Sequence, residues 1–154
     1  MGMDMYVNGK RYLWDFGEDG DKQVSASISK FFPELGDRRV KQVEAEFMYW
    51  RKANAIHQWF VDNVQEGNDD CGEYHLTEEH LVALRDACQS VINDPDNAEK
   101  YLPAHGGFFF GSTEYDEYYF EYVKQTLEWL NTLLFVNKFD EKLEDWNLYY
   151  QSSW

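Results

Sequence analysis

Side chains able to do chemistry are densest in Tyr49-Trp-Arg-Lys-Ala-Asn-Ala-Ile-His57, which runs on to Trp59 and Phe60. On a helix, Trp50, Asn54 and His57 stand three and four residues apart and share a face, with Arg51, Lys52 and the Trp59 ring beside it. An aromatic plane, two cations, an amide and an imidazole on a locally neutral segment can grip a small, nucleotide-like anion by stacking and charge-assisted hydrogen bonds. The structural account of the same residues makes Trp50 and Trp59 core anchors. Arg51 and Lys52 then pair with carboxylates elsewhere, and His57 is an internal hydrogen-bonder.

Three other groupings carry weaker signals. Gly106-Gly-Phe-Phe-Phe-Gly-Ser-Thr113 has the spacing of a phosphate-binding loop, but Ser112 stands where the lysine must be and Pro103-Ala104-His105 precedes it where a strand is needed. That reading is rejected, and the block is read as a glycine-framed turn wedging Phe108 to Phe110 into the core. Cys71, His75, His80 and Cys88 supply two thiols and two imidazoles, yet their spacings fit no standard zinc finger and Cys88 falls on an apolar stripe. No metal or cofactor is assigned. Cys71 with one of the four histidines lacks any local nucleophile signature, and 29 acids generate carboxylate pairs by chance, so no catalytic residue is assigned either.

The elements that must position these residues are read from periodicity and punctuation. Met3 to Val7, Lys10 to Trp14 and Gln42 to Phe47 read as strands, and Asn8-Gly9 as a hairpin turn between the first two. Phe16 to Asp21 is a polar turn, and Ser25 to Lys30 a short helix or loop ended by Pro33 and Gly36. A helix is expected from Tyr49 to Glu66, with Ala53, Ile56, Phe60 and Val64 buried. A second opens at the Thr77 cap with Glu78 and Glu79 at its positive end, carries Leu81, Leu84, Cys88 and Val91, and stops at Asn93-Asp94-Pro95. A third begins near Ser112 or Thr113, where Thr113-Glu-Tyr-Asp116 fits a capping box, and runs to about Val136 with Tyr119, Val123, Thr126, Leu127, Leu130 and Leu134 inward. Phe139, Leu143, Trp146 and Tyr150 stand at helical spacing and suggest a last amphipathic helix. The expected fold is α+β, a small N-terminal antiparallel β segment (1–47) packed on a bundle of three to four helices (48–154), in one domain of 154 residues.

Charge narrows the partners. The chain holds 14 Lys and Arg against 29 Asp and Glu, a net charge of −15. Residues 1–60 are balanced at nine of each sign, whereas residues 61–154 hold five basic and twenty acidic side chains. Such a field repels a phosphate backbone, so no direct nucleic-acid partner is expected. It suits docking on the basic face of another protein. No apolar run is long enough to span a bilayer, and the acid at position 4 does not fit a secretory leader. Two cysteines give no disulfide framework, which fits a reducing compartment and a cytoplasmic location. Aromatics at 18% exceed ordinary usage, and exposed ones in the Trp146 to Trp154 segment would favour a homodimer.

The Tyr49-to-His57 block with Trp59-Phe60, Asp70-Cys-Gly-Glu-Tyr74, and Gly107-Phe-Phe-Phe-Gly-Ser-Thr113 with Tyr115-Asp116 resemble recurring blocks of an uncharacterised family of small proteins from bacteriophages and bacteria. The opening Met-Gly-Met-Asp-Met-Tyr is similar too, so the resemblance covers residues 1–7 and 47–127. It implies a phage or prophage product acting in the host cytoplasm and no reaction. The function expected is a non-enzymatic acidic protein that docks on, and inhibits, a host protein with a basic, nucleic-acid-binding face. The alternatives are sequestration of a small anionic ligand at Trp50, Arg51, Lys52, Asn54 and His57, and, behind that, an enzyme.

Overall fold

A computed structural model describes residues 2–14, 19–36, 39–140 and 145–154. Strand β1 (Asp4–Tyr12) is followed by helix α1 (Asp19–Phe31) and a short 3-10 turn at Pro33–Leu35. Then come β2 (Gln42–Arg51), α2 (Asn54–Asn63), β3 (Tyr74–Leu76), α3 (Glu78–Asn93), the single turn α4 (Ala98–Tyr101), α5 (Glu117–Asp140) and β4 (Trp146–Ser153). The four strands form one antiparallel sheet in the order β2-β1-β4-β3. The class is α+β.

Alternation fixes which side of the sheet is covered. Met5, Val7 and Gly9 of β1 are buried while Asp4, Tyr6, Asn8 and Lys10 are half-exposed, the two-residue period of a strand with one face on the core. On the covered face, Trp50 of β2 packs on Phe60 of α2 and Trp129 of α5, and Tyr150 of β4 stacks on Phe60 with ring centres 3.9 Å apart. Helices α3 and α5 pack on each other through the stripes read from the sequence: Leu81, Leu84, Cys88 and Val91 are buried on α3, and Tyr119, Val123, Thr126, Leu127 and Leu130 on α5.

Four expectations are corrected. Asn8-Gly9 is no turn: β1 runs straight through it, and the irregularity there is a bulge in which Phe47 of β2 is the extra residue, since Val7 faces Met48 and Asn8 faces Glu46. Gly9 is required because the Phe47 ring lies over it; a Cβ would come 2.2 Å from that ring and 2.9 Å from Trp146. The helix expected from Tyr49 starts only at Asn54, because Tyr49, Trp50 and Arg51 are strand residues opposite Tyr6, Met5 and Asp4, and Lys52 turns the chain with φ of 56°. Helix α5 opens at Glu117 rather than near Thr113. Its cap is Asp116, whose carboxylate accepts the Tyr119 N–H at 3.0 Å. Finally, Trp146 and Tyr150 belong to a strand: β4 buries Leu148, Tyr150 and Ser152 at a period of two and pairs with both β1 and β3. Leu143 lies outside the described residues, as do residues 16–18 of the expected polar turn, whereas Asp19–Asp21 open helix α1 instead; Phe139 falls within α5.

The Thr77 cap is present and reciprocal. His80 N–H donates to Thr77 Oγ1 (3.3 Å) and Thr77 N–H donates to His80 Nδ1 (3.2 Å), so an imidazole takes the place that glutamate usually fills in a capping box.

Candidate functional site

The turn from β2 into α2 divides the five ligand-binding candidates into two groups. Trp50 is buried; its indole N–H donates to Thr126 Oγ1 on α5 (2.8 Å), and Thr126 in turn donates to Tyr122 O. Asn54 is 1% exposed and fully engaged: Nδ2 donates to Phe110 O (3.1 Å) and Ser112 O (2.7 Å), while Oδ1 accepts from His105 N–H (3.1 Å). His57 is buried, with Nδ1 2.7 Å from the Tyr150 hydroxyl and Nε2 3.1 Å from Asp69 Oδ2. Arg51 and Lys52 are different. Arg51 is exposed, Lys52 half-exposed, and neither forms an ion pair among the described residues.

The helical face shared by Trp50, Asn54 and His57 therefore does not exist. Trp50 lies on a strand, and the side chains of Asn54 and His57 are committed to separate internal networks. The Asn54 network pins the aromatic loop 105–112. Met3 N–H adds a bond to Phe109 O (3.0 Å), and Gly111, at φ of 88°, lies against the Lys52 side chain. The sequence predicts three phenylalanines wedged inward from this loop, but only Phe110 is, packing edge-on to His57 and near Trp154. Phe108 stands 93% exposed at the tip.

The His57 network ties three elements together. Burial keeps Tyr150 protonated by raising its pKa well above the usual value, so its hydroxyl donates to Nδ1 and the neutral ring donates from Nε2 to Asp69. The other Asp69 oxygen accepts the Trp154 indole N–H at 3.2 Å. Burial lowers the His57 pKa; the hydrogen bond to Asp69 pulls the other way.

The groups weighed for metal or nucleophilic chemistry are dispersed. Cys88 is sealed in the core, where burial pushes its thiol up to about 12. His80 serves the α3 cap, and His75 stands exposed beside Tyr149. Among the described residues no group of three or more His, Cys, Asp or Glu side chains is placed to hold a metal ion. A shallow groove of about 200 Å³ lies between β2 and α5, lined by Tyr49, Trp50, Arg51, Tyr118, Glu121, Tyr122 and Gln125. It contains two of the five candidates.

Carboxylates form the most extensive chemical feature. Residues 54–135, which contain α2, β3, α3, α4, most of α5 and the loops between them, hold sixteen acidic side chains against three basic ones; eight of the sixteen, and all three cations, lie within the helices. Arg85 pairs with Asp86 (2.7 Å) and Lys124 reaches Glu128 at 4.0 Å, while Lys100 lies over the Tyr101 ring. On α3, Glu78, Glu79 and Asp86 flank Val82 and Ala83 along a shallow outward-facing depression of about 370 Å³. Glu79 is held below its usual pKa by the Thr77 hydroxyl, so its charge persists. The uncovered sheet face is more balanced: Asp4, Glu44, Glu46 and Glu73 with Lys10 and Arg51, interleaved with Tyr6, Tyr49 and Tyr149. The acidic excess is legible in the sequence, but its division is not: half of these carboxylates stand on helices, and Glu73 joins the sheet through Lys10.

The chain matches no protein-family model, no curated protein and no solved structure. Among the described residues no helix is long and apolar enough to cross a membrane.

Proposed function

We propose that this protein is a non-enzymatic docking protein whose acidic helical layer covers a basic, nucleic-acid-binding face of a host protein and inhibits it by competing with nucleic acid for the same cations. The observation that carries this reading is the sixteen-to-three excess of carboxylates over cations in residues 54–135. Opposed fields steer encounter and choose partners, and the contacts weaken as salt screens them. The resemblance of the aromatic blocks to phage and bacterial proteins supports the cytoplasm of a bacterial host as the place of action. The experiment immobilises the protein, captures partners from bacterial lysate at low and at raised salt, and repeats the capture with Glu79→Lys and Asp86→Lys combined. A basic protein held at low salt, released by salt and lost in the variant supports docking; capture indifferent to both contradicts it.

Sequestration of a small anion rests on Arg51 and Lys52, the two candidates left without a carboxylate partner among the described residues. A panel of cyclic and linear nucleotides read by melting temperature tests it, since a ligand well above its Kd raises the midpoint by several degrees. Arg51→Gln with Lys52→Gln would abolish that shift and leave docking intact.

A further inference from the structure

Strand β2 is an edge strand of ten residues. Which of its amides face outward follows from two bonds at its ends: Leu13 N–H donates to Lys41 O and Lys52 N–H to Met3 O, both at 2.8 Å. Antiparallel ladders alternate, so Trp50 and Met48, and below the bulge Ala45 and Val43, turn their peptide groups toward β1. Gln42, Glu44, Glu46, Tyr49 and Arg51 turn theirs to the open edge. The Phe47 bulge shifts this set from even to odd positions, and because hydrogen-bonding direction and side-chain face share the two-residue period, these residues all project from the uncovered sheet face.

Reversed upon itself about a point between Phe47 and Met48, this edge is self-complementary. Glu44 then faces Arg51 of a second copy, Glu46 faces Tyr49, and the same contacts recur in the other direction. The residues brought opposite each other are the ones whose amides point outward, and the two bulges coincide. Sliding the strands to bring Glu44 opposite Glu46 sets like charges across the ladder, which is unfavourable. Residues 1–60, which contain this edge, carry no net charge, although Glu121 of α5 stands in the groove beside Arg51.

We infer that two copies of this chain pair through β2 in antiparallel fashion, forming one continuous eight-stranded sheet closed by Glu44–Arg51 ion pairs. The Tyr118 hydroxyl already donates to Arg51 O, and the second lone pair of that carbonyl is the one that takes the Glu44 N–H of the other copy. The two-fold axis stands perpendicular to the sheet, which places both acidic helical layers on the same side. Edge strands otherwise carry charges and bulges to prevent such pairing, and the test distinguishes the two uses of the same features.

Sedimentation equilibrium over about 1–100 µM is the direct measurement, because association through an interface depends on concentration. The average mass is expected to rise from 18.4 kDa toward twice that value. Glu46→Pro removes an outward N–H without touching the β1 ladder and is expected to leave the circular dichroism unchanged and the chain monomeric. Arg51→Glu is expected to weaken association about tenfold or more, and Glu44→Arg combined with Arg51→Glu to restore it. A constant mass of 18.4 kDa overturns the inference. So does a folded Glu46→Pro that associates like the parent, or a folded double variant that gains nothing over Arg51→Glu.

Discussion

His57 and Asn54 show how residues with reactive side chains become structural once they are buried. His57 donates to Asp69 and accepts from Tyr150, so its loss leaves the buried Tyr150 hydroxyl unmatched and half-exposed Asp69 without one donor, as well as a void. His57→Ala is expected to destabilise by about 2–4 kcal/mol in urea unfolding. Acid should also weaken the fold through this ring. Burial holds its folded pKa below the ordinary 6.5, so the unfolded chain binds the proton more readily, and stability is lost as pH falls from about 6.5 through the folded value. Urea midpoints at pH 7.5 and about 5.5 should therefore fall further for the parent than for His57→Gln, which does not titrate; equal falls would assign the loss to other groups. Asn54→Asp replaces the amide donor facing Phe110 O and Ser112 O by a carboxylate oxygen. It is expected to free loop 105–112, seen as faster amide exchange there than in α3, with a stability loss of about 2–4 kcal/mol. The composition of the Tyr49-to-His57 block was legible, but its convergence was not. A helical reading places Trp50, Asn54 and His57 on one face, whereas a strand that ends at Arg51 and a left-handed Lys52 send them to different neighbours.

Helix α3, whose signals are all local, was read correctly; β1 and β2 fall where strands are expected but with other ends, and β4, which depends on distant partners, was read as a helix. Helix α3 has its cap, its stripe and its stop within one short segment, and Thr77, Leu81, Leu84, Cys88, Val91 and Asp94-Pro95 all behave as the spacing predicts. Thr77→Ala should cost about 1 kcal/mol, measured as a lower melting temperature. Strand β4 carries two periodicities at once, Trp146 and Tyr150 at a helical step and Leu148, Tyr150 and Ser152 at a strand step. Only pairing with β1 on one side and β3 on the other decides between them. Asn8-Gly9 is a sound turn dipeptide overruled by eight residues of β1, Asp4 to Arg11, with partners on both sides and by the Phe47 ring above Gly9. Gly9→Ala is accordingly expected to cost about 1–3 kcal/mol, because the added methyl displaces Phe47 or Trp146; a variant with the parent's melting temperature would show that the ring is not wedged there.

At the scale of the molecule, one layer of helices rich in carboxylates covers a sheet whose other face is mixed in charge and rich in tyrosine. The excess of acid was visible in the sequence, as was its concentration beyond residue 60. Its division between helices, loops and sheet was not, since β3, β4 and Glu73 come from the acidic part of the chain and join the sheet. The measurement that bears most directly on the account is the salt dependence of affinity for a captured basic partner, determined for the protein and for Glu79→Lys with Asp86→Lys. The docking account predicts an affinity that falls steeply as salt rises and a shallower slope in the variant, with nucleic acid displacing the protein from its partner. Identical slopes for the two, or binding that persists unchanged through high salt, would contradict it.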